Sequence, residues 1–167
     1  MKYDIAMLQV CYRGFFDLCD TQDGESWERL GMKKIDNLAS CLSVLKDADY
    51  DFANSNEIYR IGVINQFNLT FELTWKALQS VLRAHGAEGA ETGSPREILQ
   101  LGYKFGFVDD STVWLAMLKK RNSFTHIYDE EEIDEMLLLI RDSFTPAFVT
   151  LEKTLREKMT EVVDDWG

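Results

Sequence analysis

The sequence predicts an all-α chain, folded as an antiparallel up-and-down helical bundle of about five helices. Three observations carry this reading. Apolar residues recur at spacings of three and four over long stretches, which is the mark of helices with one buried face. Pro is scarce, at two residues in 167, while Leu, Glu, Lys and Met are plentiful, a balance that suits helices better than a sandwich or barrel. Gly-containing polar segments such as TQDGES and AHGAEGAETGS fall between the periodic stretches, where turns belong.

Residues 1–25 are read as an N-terminal extension. Ile5, Leu8, Tyr12 and Phe15 can share a helical face, and IAMLQV reads equally well as a strand. The bundle is expected over residues 26–160. Its first helix starts near Ser26, a possible N-cap, and Ile35, Leu38, Leu42 and Leu45 form its apolar stripe. The segment KDADYDFANSN reads as a polar loop. A long second helix follows from about Ser55 to His85, with the stripe Ile64, Phe67, Phe71, Trp75, Leu78 and Leu82. Val63, Leu69, Leu73, Ala77 and Val81 point in other directions, which predicts a central position. Within it, Glu72 and Lys76 stand at i,i+4 in the favourable order for a helical salt bridge. Gly86 suits the position after the C-cap, and His85 just before it reads as a helix-end residue.

SPRE sets a strong helix start: Ser94 as N-cap, Pro95 at the first helical position, Glu97 at the third. That third helix is short and ends near Gly106. A fourth opens after VDDST, capped by Asp109 or Asp110, with Trp114, Met117, Leu118 and Phe124 inward. A fifth opens at Asp129, with Glu130, Glu131 and Glu132 at the positive end of its dipole. Its stripe runs Ile133, Met136, Leu137, Ile140, Phe144, Phe148, Leu151 and Leu155. Pro146 interrupts that stripe and removes the bond to the Asp142 carbonyl, so a kink is expected there. Residues 161–167 are expected to fray.

Composition narrows the function. The formal net charge of −11 argues against a protein that coats nucleic acid non-specifically, since that needs Lys and Arg to displace counterions. Two histidines rule out a His-rich metal site, and the spacing of Cys11, Cys19 and Cys41 fits no zinc pattern, so neither metal nor cofactor is expected. The cysteines read as reduced and the location as cytoplasmic. No apolar run approaches the ~20 residues of a membrane span, and no signal-peptide pattern opens the chain.

The stretch KKRNSFTHIYDE carries the candidate chemistry. In a regular helix Asn122 and His126 share a face, while Arg121 and His126 lie roughly 140° apart at about 3.6 residues per turn. A neutral His can take the proton of an RNA 2′-hydroxyl or supply one to the leaving oxygen. Arg121 can grip phosphate with two parallel bonds and offset transition-state charge, and Asn122 can orient either partner. Lys119, Lys120 and Arg121 form a basic run able to hold phosphate. By spacing alone, however, the group reads first as a surface arginine and a half-buried histidine, with Tyr128 at a core edge and the basic run answering a helix dipole.

The stretches FELTWKAL (71–78), SPREIL (94–99) and WLAMLKKRNSFTHIYDE (114–130), in this helix order, resemble the nucleotidyltransferase substrate-binding proteins. These are a branch of the HEPN superfamily (higher eukaryotes and prokaryotes nucleotide-binding). The resemblance spans about residues 26 to 158, and RNSFTHIY has that branch's Arg-x4-His-x-Tyr form. It implies a homodimeric helical bundle whose partner is a minimal nucleotidyltransferase. It further implies a metal-independent RNase site at Arg121, Asn122 and His126, and a tyrosine, Tyr128, to which the partner attaches AMP to silence a toxin. RNA or a nucleotide is the implied substrate or ligand. The alternative is a non-catalytic subunit that binds a nucleotide or other substrate for the transferase. The acidic run DEEEIDE after the motif leaves phosphate only a narrow path beside Lys119, Lys120 and Arg121.

Overall fold

The computed structural model describes residues 27–123 and 130–165. Its described residues are helical throughout their regular parts, with no strand. The elements are α1 (Trp27–Lys46), α2 (Tyr50–Ser55), α3 (Glu57–Ala84), α4 (Pro95–Lys104), α5 (Ser111–Ser123) and α6 (Glu130–Leu139). A π-helical turn (Ile140–Phe144) then leads into α7 (Thr145–Asp165). The expected extension 1–25, with Cys11 and Cys19, and the expected cap Ser26 lie outside the described residues.

Cross-contacts give the directions. Lys34 meets Ser80 and Cys41 meets Thr70, so α1 and α3 run antiparallel. Asp36 pairs with Arg156, and Gly31 abuts Met159, so α7 also opposes α1. Trp114 packs on Phe148 and Lys120 pairs with Glu135, so α5 opposes the α6–α7 path. The long elements therefore go up, down, up and down, as the periodicity predicts. α3 is the central helix. Phe67, Phe71, Ala77, Leu78, Val81 and Leu82 on it are fully buried, and polar Thr70 and Thr74 are buried with them. Those two hydroxyls donate to the carbonyls of Gln66 and Thr70 one turn back, and Thr70 Oγ1 also lies 3.4 Å from Cys41 Sγ.

The segment expected as a polar loop contains α2. Asp49 caps it by accepting from Phe52 N–H at 2.9 Å, Ala53 is buried, and Arg60 donates to the carbonyls of Ala53 and Asn54 at its C-terminal end. Asn56 then caps α3. At the other end of α3, Gly86 takes a φ of 68°, and His85 Nε2 lies 2.9 Å from the Lys158 carbonyl, a bond that requires the ring N–H there.

α4 starts on the full capping box that SPRE predicts. Its Gly102 lets the helix sit directly on α3: a Cβ there would lie 2.9 Å from Leu78 Cδ2 and 3.1 Å from Val108 Cγ2. The kink expected at Pro146 takes the form of the π turn just before it. The Thr145 N–H reaches back five residues to the Ile140 carbonyl, and the helical path continues through the proline. α7 runs on to Asp165, through most of the stretch expected to fray, because Leu151, Leu155, Met159 and Val162 keep one buried face. No helix among the described residues is long and apolar enough to cross a membrane.

Candidate functional site

The basic run lies at the end of α5, with Lys120 and Arg121 in the last turn, where cations complement the negative end of the helix dipole. Its members go separate ways. Lys120 ion-pairs with Glu135 of α6 at 2.5 Å, tying together the two helices that flank residues 124–129. Lys119 is exposed and faces a groove of about 540 Å³ between α4 and α5. Arg96, Leu115, Leu118, Asn122 and Ser123 line the rest of that groove. Arg96 is the arginine of SPRE, so two of the stretches quoted above meet there.

Arg121 points to α3. Its NH2 group lies 2.5 Å from Glu72 Oε1, and both side chains are partly buried, at 33% and 19% exposure. Glu72 serves three partners at once. Trp75 Nε1 donates to its Oε2 at 3.1 Å, and Lys76 Nζ stands 3.9 Å from the same oxygen. The Lys76 ammonium also lies 5.7 Å from the centre of the Trp75 ring, within cation–π range. The i,i+4 bridge is therefore present, but the closer ion pair of Glu72 is with Arg121. Arg121 NH1 also makes a long contact, 3.4 Å, with the exposed Asn122 Oδ1.

Arg121 and Asn122 thus stand side by side at the bundle surface, and Glu72, Trp75 and Lys76 join them from α3. Local periodicity did not point to those three as site residues. It places them on one face of α3 without showing what packs opposite. His126 and Tyr128 lie outside the described residues, as do Phe124 and Asp129. Among the described residues no cluster of His, Cys, Asp and Glu has the make-up of a metal site. Cys41 is a buried thiol beside Thr70 Oγ1 and Gln66 Nε2, at 3.4 and 3.0 Å.

What the arrangement can do chemically follows from these partners. A guanidinium held by one carboxylate keeps further N–H donors for a phosphate. The half-buried indole beside it offers a flat apolar face next to a cation.

A family model described as "Nucleotidyltransferase substrate binding protein like" matches residues 33–157. A curated protein of Haemophilus influenzae named "Probable ribonuclease HepT" is 27% identical over 99 residues. That alignment covers 58% of this chain and 67% of the relative.

Proposed function

This chain belongs to the nucleotidyltransferase substrate-binding-like family, and on that premise we propose that it is the HEPN subunit of a two-component system with a minimal nucleotidyltransferase. In this reading it is a homodimeric, cytoplasmic, metal-independent RNase toxin. His126 takes the proton of an RNA 2′-hydroxyl. The 2′-oxygen bonds to phosphorus, and the bond to the 5′-oxygen breaks. That oxygen leaves with a proton, which the imidazole returns, so the ends formed are a cyclic phosphate and a 5′-hydroxyl. Arg121 offsets the charge that builds on the phosphoryl oxygens, and Asn122 orients the reacting groups. The partner silences the site by transferring AMP from ATP to the Tyr128 oxygen with release of pyrophosphate, which puts negative charge and bulk beside the basic groups.

The observation that carries this reading is the Arg121–Glu72 pair. It joins the Arg-x4-His-x-Tyr stretch to FELTWK and fixes the guanidinium at the surface with donors to spare. The likeness to a relative named as a ribonuclease supports the same class of activity. The test is expression without a partner, comparing wild type with His126→Ala. Growth arrest by wild type alone is expected. Equal toxicity, or none from either, overturns the catalytic role.

The groove between α4 and α5 favours a second reading, a non-catalytic subunit that binds a nucleotide for the transferase. Arg96 and Lys119 would hold the phosphates, and Leu115 and Leu118 would lie under the base. Titration of nucleotides against wild type, Arg96→Ala and Arg121→Ala separates the two. Binding that depends on Arg96, from a protein that cuts no RNA, favours the second.

A further inference from the structure

The groove between α4 and α5 adjoins the Arg121 site. Asn122 belongs to both: it lines the groove, and its Oδ1 lies 3.4 Å from Arg121 NH1. The walls come from two helices, with Arg96 on α4 and Lys119 on α5. Both side chains are exposed, and neither has a carboxylate partner among the described residues. No acidic residue lines the groove, in a chain whose net charge is −11. The cations that follow Lys119 are already committed, Lys120 to Glu135 and Arg121 to Glu72. The start of α4 does not account for Arg96. Capping uses the other three residues of SPRE, and the Glu97 carboxylate accepts from the Ser94 N–H and hydroxyl at 2.7 and 2.8 Å. Arg96 itself stands in the first turn, where the positive end of the helix dipole disfavours a cation. It is better placed for an anion in the groove than for its own helix. Between the two cations lie Leu115 and Leu118, both half-buried. An apolar floor flanked by a few convergent polar groups is the make-up of a site that takes a base and its phosphate together.

We propose that this groove is a subsite for the RNA nucleotide next to the bond cut at Arg121. Arg96 and Lys119 grip its outer phosphate from opposite walls, and its base lies on Leu115 and Leu118. This rests on the RNase reading for the cut itself. A free nucleotide carries the same phosphate and base. The strand is favoured because Asn122 leads from the groove to the guanidinium, so one strand can occupy both.

The experiment uses the full chain and a short 2′-O-methyl oligoribonucleotide, which has no free nucleophile and stays intact. Its affinity is measured by fluorescence anisotropy over a range of salt, for wild type, Arg96→Gln, Lys119→Gln and the double variant. Lys153→Gln, on α7, removes one charge elsewhere as the control. The double variant is expected to lose about tenfold or more in affinity at low salt, the size of effect that charge-assisted bonds to one phosphate give. Its salt slope should fall by about 0.7, one phosphate contact on a single strand, because both cations share that phosphate. Lys153→Gln should bind as wild type does. The urea midpoints of Arg96→Gln and Lys119→Gln should match that of wild type, since both side chains are exposed. A double variant with unchanged affinity and slope overturns the subsite, as does a wild type that does not bind the oligonucleotide. So does a Lys153→Gln protein weakened as much as either single groove variant, which would trace the effect to overall charge. AMP or ATP binding that depends on both cations, without oligonucleotide binding, overturns the strand assignment. RNA cleavage by the double variant at wild-type kcat and KM overturns the subsite and leaves the RNase reading standing. Loss of oligonucleotide binding in the double variant, from a wild type that never cuts RNA, upholds the strand in the groove while the RNase reading falls.

Discussion

Glu72 sits between Trp75, Lys76 and Arg121, so its removal changes the position of the guanidinium more than the strength of the fold. An ion pair between partly buried side chains that still reach water contributes modest net stability, on the order of 1 kcal/mol. Glu72→Gln keeps the side-chain size and an acceptor for the Trp75 N–H, while Arg121 loses its ionic anchor. Displacing a transition-state donor by about 1 Å costs up to about a hundredfold in rate. The expected outcome is a cleavage rate reduced between about tenfold and a hundredfold, with an unfolding free energy within about 1 kcal/mol of wild type. Rapid-quench rates and urea unfolding on the same preparation check both halves. A faster variant would show that Glu72 restrains Arg121, and would end the positioning role. None of this was legible from local pattern. The i,i+4 rule finds Lys76 for Glu72, but a partner on another helix obeys no local spacing.

Short elements obey their ends, and long ones their stripes. The stripes of α1, α3 and α7 were readable because ten or more residues repeat one face. α2 was not, because six residues show no period. Asp49, Asn56 and the Arg60 bonds to its last carbonyls make it a helix. Pro146 signalled a disturbance but not its form, since a π turn and a kink both release the carbonyl that proline cannot serve. α4 was fully legible, and its start is testable. Ser94→Ala should cost about 1 kcal/mol by urea unfolding. The Glu97 carboxyl is held below its ordinary pKa, chiefly by the Ser94 backbone N–H and then by the Ser94 hydroxyl. A lowered folded pKa stabilises above the unfolded value, and that support fades as pH falls through the folded one. Stabilities of wild type and Glu97→Gln should therefore differ near neutrality and converge in acid, and curves that stay parallel would remove the box from the account. At the other face of the same helix, Gly102→Ala should destabilise despite alanine's better helix propensity of ~1 kcal/mol. Its Cβ meets buried Leu78 and Val108, and such overpacking costs about 1–3 kcal/mol. A stabilised variant would show that Leu78 can turn aside.

At the scale of the molecule, the surface that carries Arg121 depends on a core it does not touch. Phe67 of α3 stacks on Phe144 of the π turn at 5.3 Å and lies 6.0 Å from Phe148 of α7. Phe148 in turn meets the edge of Trp114 on α5 at 5.4 Å. The rings thus clamp together the helix that presents Glu72, the helix that presents Arg121 and the C-terminal helix. The stripes disclose each of these aromatics as buried, yet not that they form one stack across three helices. Periodicity gives a facing direction, and only packing gives a neighbour. Phe148→Ala would empty the junction, since Phe148 is fully buried. Truncations of this kind cost about 3–5 kcal/mol, a large share of a domain stability of roughly 5–15 kcal/mol. The expected result is an unfolding midpoint in urea well below wild type. The oligonucleotide affinity of the fraction still folded should be weakened as well, because α5 is no longer held at its distance from α3. Phe148→Leu, which keeps more of the volume, should recover part of both. A Phe148→Ala protein that loses stability but binds with wild-type affinity when folded would show that the Arg121–Glu72 pair positions α5 without help from the core.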